Sequence, residues 1–95
     1  MAKYELMLIL STSVTEEERN ASLANVKKAL TDASATIEKE DIWGDKKMSY
    51  KINSSDRGFY VLFDLELNGR AIITITKIMN LDLNIWRHMF VKKDV

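Results

Sequence analysis

Gly58-Phe59-Tyr60-Val61-Leu62-Phe63-Asp64-Leu65-Glu66-Leu67 is the stretch on which the fold turns. Aromatic and branched residues run unbroken to Phe63 and then alternate with acids, the pattern of a β-strand covered on one side. Phe59, Val61, Phe63, Leu65 and Leu67 share one face, wholly apolar, and predict the core side. Tyr60, Leu62, Asp64 and Glu66 share the other, a mixed surface that meets water or another macromolecule.

Outward from this strand, Asn53-Ser54-Ser55-Asp56-Arg57-Gly58 is a turn cluster, so the segment ending at Ile52 should pair antiparallel with the strand that follows. Thr36 to Ile52 is extended but interrupted at Trp43-Gly44-Asp45. Gly44-Asp45 is either a hairpin turn, pairing Ile37–Trp43 with Lys46–Ile52, or a bulge that lets one long strand bend. Near the start, Tyr4, Leu6, Leu8 and Leu10 alternate with Glu5, Met7 and Ile9, a second buried strand. Thr15-Glu16-Glu17-Glu18 reads as a capping box with acids at the positive helix end, and Leu23, Val26, Leu30 and Ala33 recur at helical spacing behind it. After Asn68-Gly69, a second helical stripe comprises Ala71, Ile72, Ile75, Ile78 and Met79. A last strand from about Ile85 to Lys92 has Trp86, His88 and Phe90 on one face and Ile85, Arg87, Met89 and Val91 on the other.

The order strand, helix, strand, strand, helix, strand predicts an α+β fold of the ferredoxin-like split βαβ type: a four-stranded antiparallel sheet with both helices on one face, its first and third strands central. With 95 residues, 46% hydrophobic and 29% charged, the chain is expected to be a single domain over 1–95, burying roughly 60–70% of its unfolded surface. Cysteine is absent, no apolar run would span a bilayer, and the first residues lack a signal-peptide pattern, so a cytoplasmic location without membrane association is expected. The formal net charge of zero argues against avid, unaided binding to nucleic acid, so any RNA contact should be local or shared.

Catalytic signals are thin. His88 is the lone histidine, and between Trp86 and Phe90 it reads as a packing residue, without the partners a metal site needs. Gly44, Gly58 and Gly69 lie too far apart for a phosphate-cradling loop. Acylphosphatases share the topology, but Ser11 to Val14 lacks the glycines and arginine of their loop, which counts against an acylphosphatase-like hydrolase. A free-standing RNA-recognition-like module is the other alternative, since Arg57-Gly58-Phe59 begins like its stacking strand. There the aromatics must face the open side of the sheet, whereas Phe59 lies with Val61 and Phe63 on the face that the helices cover.

The uncovered face should carry Met7, Ile9, Tyr60, Leu62, Met89 and Val91, an apolar area suited to docking another chain. The first five are the partner-binding candidates. Basic residues Lys46, Lys47, Lys51, Arg57, Arg87, Lys92 and Lys93 lie near strand ends.

Tyr4-Glu5, the run from Ile42 to Ile52 (Ile-Trp-Gly-Asp-Lys-Lys-Met-Ser-Tyr-Lys-Ile), Gly58-Phe59-Tyr60, and Ile85-Trp86-Arg87-His88-Met89-Phe90-Val91-Lys92 together resemble the bacterial small-subunit ribosomal protein S-six family. The resemblance spans almost the whole chain, in order and at matching spacing. It implies a ferredoxin-like fold, no catalysis, no cofactor or metal, and one long bent second strand at Gly44. It also implies a structural role in the small ribosomal subunit: pairing with ribosomal protein S-eighteen and binding, as that pair, to the central domain of small-subunit ribosomal RNA. Arg87 and Lys92 match basic positions of the family's terminal strand, and Lys46 and Lys47 match its basic pair. With the adjacent Lys93, these are the RNA-binding candidates, the Lys46–Lys47 pair being expected to contact either RNA or the partner. Lysine stands at 46 and 47 where arginine is common, keeping phosphate attraction without the bidentate fork. Lys51 replaces a frequent proline, Trp86 a usual aliphatic, and Ala33-Ser34-Ala35 ends the first helix without the usual glycine. The sequence stops soon after the last strand and is expected to offer no long contact tail.

Overall fold

A computed structural model describes residues 1–52 and 55–93, the side chains at 49 and 50 excepted. Its elements are β1 (Ala2–Leu10), α1 (Glu16–Asp32), β2 (Thr36–Ile52), β3 (Ser55–Leu67), α2 (Ala71–Asn80) and β4 (Ile85–Lys92). The strands form one antiparallel sheet in the order β2-β3-β1-β4. The ferredoxin-like arrangement holds, with the two most apolar strands at its centre. Leu6, Leu8 and Leu10 of β1 and Val61, Phe63, Leu65 and Leu67 of β3 are buried under Leu23, Val26 and Leu30 of α1 and Ile75 and Met79 of α2. Each such side chain removed from water contributes on the order of 1.5–3 kcal/mol.

Local chemistry fixes where α1 begins and ends. Thr15 is its N-cap, the Oγ1 accepting the Glu18 amide at 3.1 Å beside three acids in the first turn. The helix closes in a Schellman motif, with the Ser34 amide donating to the Thr31 carbonyl and the Ala35 amide to that of Leu30, both at 2.9 Å. Ser34 takes the left-handed conformation the motif requires, φ 61°, where glycine would be unstrained. In α2, Ile75 and Met79 are buried, but Ile78, expected in the apolar stripe, is 41% exposed. It lies at the stripe's edge, about 60° around the helix from Ile75 at 100° per residue.

Two departures from the strand pattern matter most. Both halves of β2 pair with β3, which excludes the hairpin and leaves the single bent strand. Ile42 faces Val61 and Gly44 faces Tyr60, so Trp43 is the extra residue of a bulge, and Gly44 adopts φ 81° there. In β4, Arg87 faces Ile9 but Ile85 faces Leu10, so Trp86 is likewise extra. The expected faces of this strand are therefore corrected at its start: Ile85 turns into the core and Trp86 onto the uncovered face, while His88 and Phe90 stay on the helix side. The turn cluster is also shorter than expected, because β3 already begins at Ser55. Asn53 and Ser54 lie outside the described residues.

Candidate functional site

The register lays three rows across β3, β1 and β4 on the sheet face away from the helices: Tyr60–Ile9–Arg87, Leu62–Met7–Met89 and Asp64–Glu5–Val91. Chemistry changes from row to row. The middle row is apolar and at least partly solvent-accessible, with Met89 55% exposed and the neighbouring Val91 45%.

The Asp64–Glu5 end is a field of ion pairs. Lys93 Nζ lies 2.8 Å from Asp64, Lys3 Nζ 3.6 Å from Glu38 and Lys39 Nζ 3.4 Å from Asp41. The hydrogen bond to Asp64 holds the Lys93 ammonium above the usual lysine value. Of the expected RNA contacts, Lys93 is thus the one whose charge is already engaged.

The other end carries aromatics and cations. Trp43 lies nearly parallel to Tyr60, with ring centroids 6.3 Å apart and planes 12° from coplanar. Ile9, expected to be open to a partner, is covered by the chain itself: with Met48 and Ile52 of β2 and the flanking Tyr60 and Trp86 it forms a second small core. The far end of β2 folds back over the sheet to make it, which the alternation within β1 had no means of revealing. Gly58 is the floor of this cluster. A Cβ there would stand 2.5 Å from Ile9 Cγ2 and 3.2 Å from Met48 Sδ.

The remaining basic candidates are exposed and, among the described residues, free of ion pairs, but they are dispersed. Arg87 sits in the Tyr60–Ile9 row and donates to the Trp86 carbonyl at 3.0 Å. Lys46 faces Gly58 and shares the uncovered side; Lys47 faces Arg57 and Lys92 faces Tyr4, both on the opposite side. β2 and β4 are the two sheet edges, so the lysine pair and Arg87 flank the apolar row rather than cluster. Arg57, a further basic residue of the sequence, is bound through Nε to Asp45 Oδ1 at 2.6 Å.

His88 lies on the helix side, its Nε2 2.8 Å from Asn80 Oδ1, and partial burial lowers its pKa below the ordinary histidine value. Among the described residues no three His, Cys, Asp or Glu side chains gather as a metal site would need, and no helix is long and apolar enough to cross a membrane. An open groove of about 740 Å³ lies between α1 and the turn after α2, remote from the uncovered sheet face.

A family model for ribosomal protein S6 matches residues 3–92. The small ribosomal subunit protein bS6 of Fusobacterium nucleatum is 36% identical over 94 residues, covering 99% of this chain and 100% of that relative. That of Corynebacterium jeikeium is 32% identical, with 99% of each covered. Among solved structures, the 30S ribosomal protein S6 of Thermotoga maritima superposes with a TM-score of 0.92 at 25% identity, over 97% of this chain and 87% of that one.

Proposed function

The chain belongs to the ribosomal protein S6 family and is a structural, non-enzymatic protein of the small ribosomal subunit, and from that premise we propose that it binds small-subunit ribosomal RNA jointly with ribosomal protein S-eighteen. The observation that carries the proposal is the Leu62–Met7–Met89 row, an apolar band in register across three strands, with Met7 and Leu62 partly accessible and Met89 exposed. Such a band suits a protein partner better than RNA. Met7, Leu62 and Met89 form the docking surface, and Tyr60 borders it.

RNA contacts then fall to the cations flanking the band. Arg87, Lys46 and Lys47 engage phosphates from the two edges, and Lys92 adds charge at the end of β4. Lys93, held by Asp64, contributes little. Four dispersed cations on a chain of zero net charge bind RNA weakly alone, because affinity rises with the number of phosphates neutralised. A partner that brings its own basic residues supplies the rest. Phosphate contacts would position the pair while the folded RNA's shape selects the site.

A gel shift on the central domain of the RNA, with and without S-eighteen, tests this directly. The expected result is a tight shift only with both proteins. Equal affinity for the RNA without S-eighteen, or tight binding to unstructured RNA by the chain alone, would overturn it in favour of an independent RNA-binding module.

A further inference from the structure

Trp43 is the one exposed aromatic side chain among the described residues, at 47%. The fold nonetheless holds it in a defined pose. The bulge at Trp43 turns it onto the uncovered face, and Tyr60 backs its ring in a near-parallel stack. Beside it the backbone is bare: a Cβ at Gly44 would meet nothing within 4 Å, so a planar group lying on the indole could also approach the main chain.

The charges around this shelf select what fits it. Lys46 lies next along the same face, exposed and without an ion pair among the described residues. The nearest acids in sequence are engaged, Asp41 by Lys39 at 3.4 Å and Asp45 by Arg57 at 2.6 Å. A guanidinium from a protein partner would stack on an indole equally well, but here it would approach the like charge of Lys46. An unpaired nucleobase presents the same flat π-surface together with a phosphate, which is complementary to Lys46.

We propose that Trp43, supported by Tyr60, is a stacking platform for one unpaired RNA base, with Lys46 contacting the adjoining phosphate. This deepens the function proposed above and rests on it. A ring already ordered by its neighbour loses little freedom when a base lies on it. Replacing Trp43 by alanine should weaken RNA binding by about tenfold or more, the usual yield of one aromatic–base stack. Replacement by phenylalanine should keep most of the affinity.

The test uses the full-length Trp86→Phe protein, in which Trp43 is the only tryptophan. Its emission is followed as S-eighteen and then the central-domain RNA are added, with the affinities of Trp43→Ala and Trp43→Phe measured in parallel. Expected are little change with S-eighteen alone, quenching with RNA, and the alanine loss with S-eighteen pairing intact. A change with S-eighteen alone and none with RNA would make Trp43 a protein contact. RNA binding at full affinity without quenching would remove the platform while leaving the joint-binding function standing. Failure of the unsubstituted pair to bind RNA would bring down both.

Discussion

Replacing Gly58 by alanine probes the second core with one methyl group. Two effects oppose each other. Away from its neighbours, alanine within a strand would stabilise the protein by roughly 0.5–1 kcal/mol by restricting the unfolded chain. Here the new Cβ would stand 2.5 Å from Ile9 Cγ2, 3.2 Å from Met48 Sδ and 3.6 Å from Tyr60 Cε1. Met48 is flexible and can withdraw. Ile9 cannot do so easily, because its Cγ2 sits on a branched, χ1-restricted carbon and the residue is 9% exposed. Overpacking of this kind costs about 1–3 kcal/mol, so the clash outweighs the backbone gain and leaves a net loss of about 1–2 kcal/mol. In a chain of this size that lowers Tm by roughly 5–15 °C.

Urea and thermal melts followed by far-ultraviolet circular dichroism provide the assay, and the Ile9→Ala background provides the control. Without Cγ2 the clash vanishes, so Gly58→Ala should there be neutral or stabilising, a coupling of about 1 kcal/mol or more. A Gly58→Ala protein as stable as its parent, or a loss that persists with Ile9→Ala, would refute the reasoning.

Three further substitutions test single structural statements. Ser34→Gly should stabilise the protein by about 1 kcal/mol, because it relieves a left-handed φ of 61° at the end of α1; an unchanged urea midpoint would contradict this. Thr15→Ala should cost about 1 kcal/mol by freeing the Glu18 amide at the N-cap, read from the same melts. For His88, burial lowers the folded-state pKa beneath the unfolded value of 6.5, so below that pH the unfolded chain binds more protons. Its contribution is therefore complete above pH 6.5 and is lost as pH falls through 6.5 toward the folded value. Stability should fall less between pH 7.5 and 5.5 in His88→Gln than in the parent, and equal slopes would contradict the assignment.

The sheet was legible because period-two alternation in β1 and β3 states which side is buried: Leu6, Leu8 and Leu10 and Val61, Phe63, Leu65 and Leu67 lie where that alternation puts them. The N-cap was legible for a similar reason, since Thr15 and Glu18 interact within one helical turn. Trp86 and Ile85 were misplaced because a bulge reverses the parity of what precedes it, and nothing in Asn84-Ile85-Trp86-Arg87 marks which residue is extra. The glycine at 44 did mark a bulge, but left the hairpin open until pairing with β3 excluded it. Ile9 looked available because its covering residues, Met48 and Ile52, come from a distant part of the chain. Gly58, which resembled the start of a stacking motif, is glycine for the packing of that same cluster. Of the candidate site, the apolar row could be read from residue types, whereas Trp43 on Tyr60 required the bulge, and the engagement of Lys93 by Asp64 required the pairing of β1 with β3 and β4.

Joint action through the apolar row is the central claim, and Met89→Asp tests it most directly. Met89 is 55% exposed on β4, so a carboxylate there leaves the core intact and the melting curve should match the parent. The measurement is RNA affinity in the presence of S-eighteen. A fall to the level of the chain alone, with loss of co-elution with S-eighteen, is predicted; unchanged co-elution and RNA affinity would contradict the account.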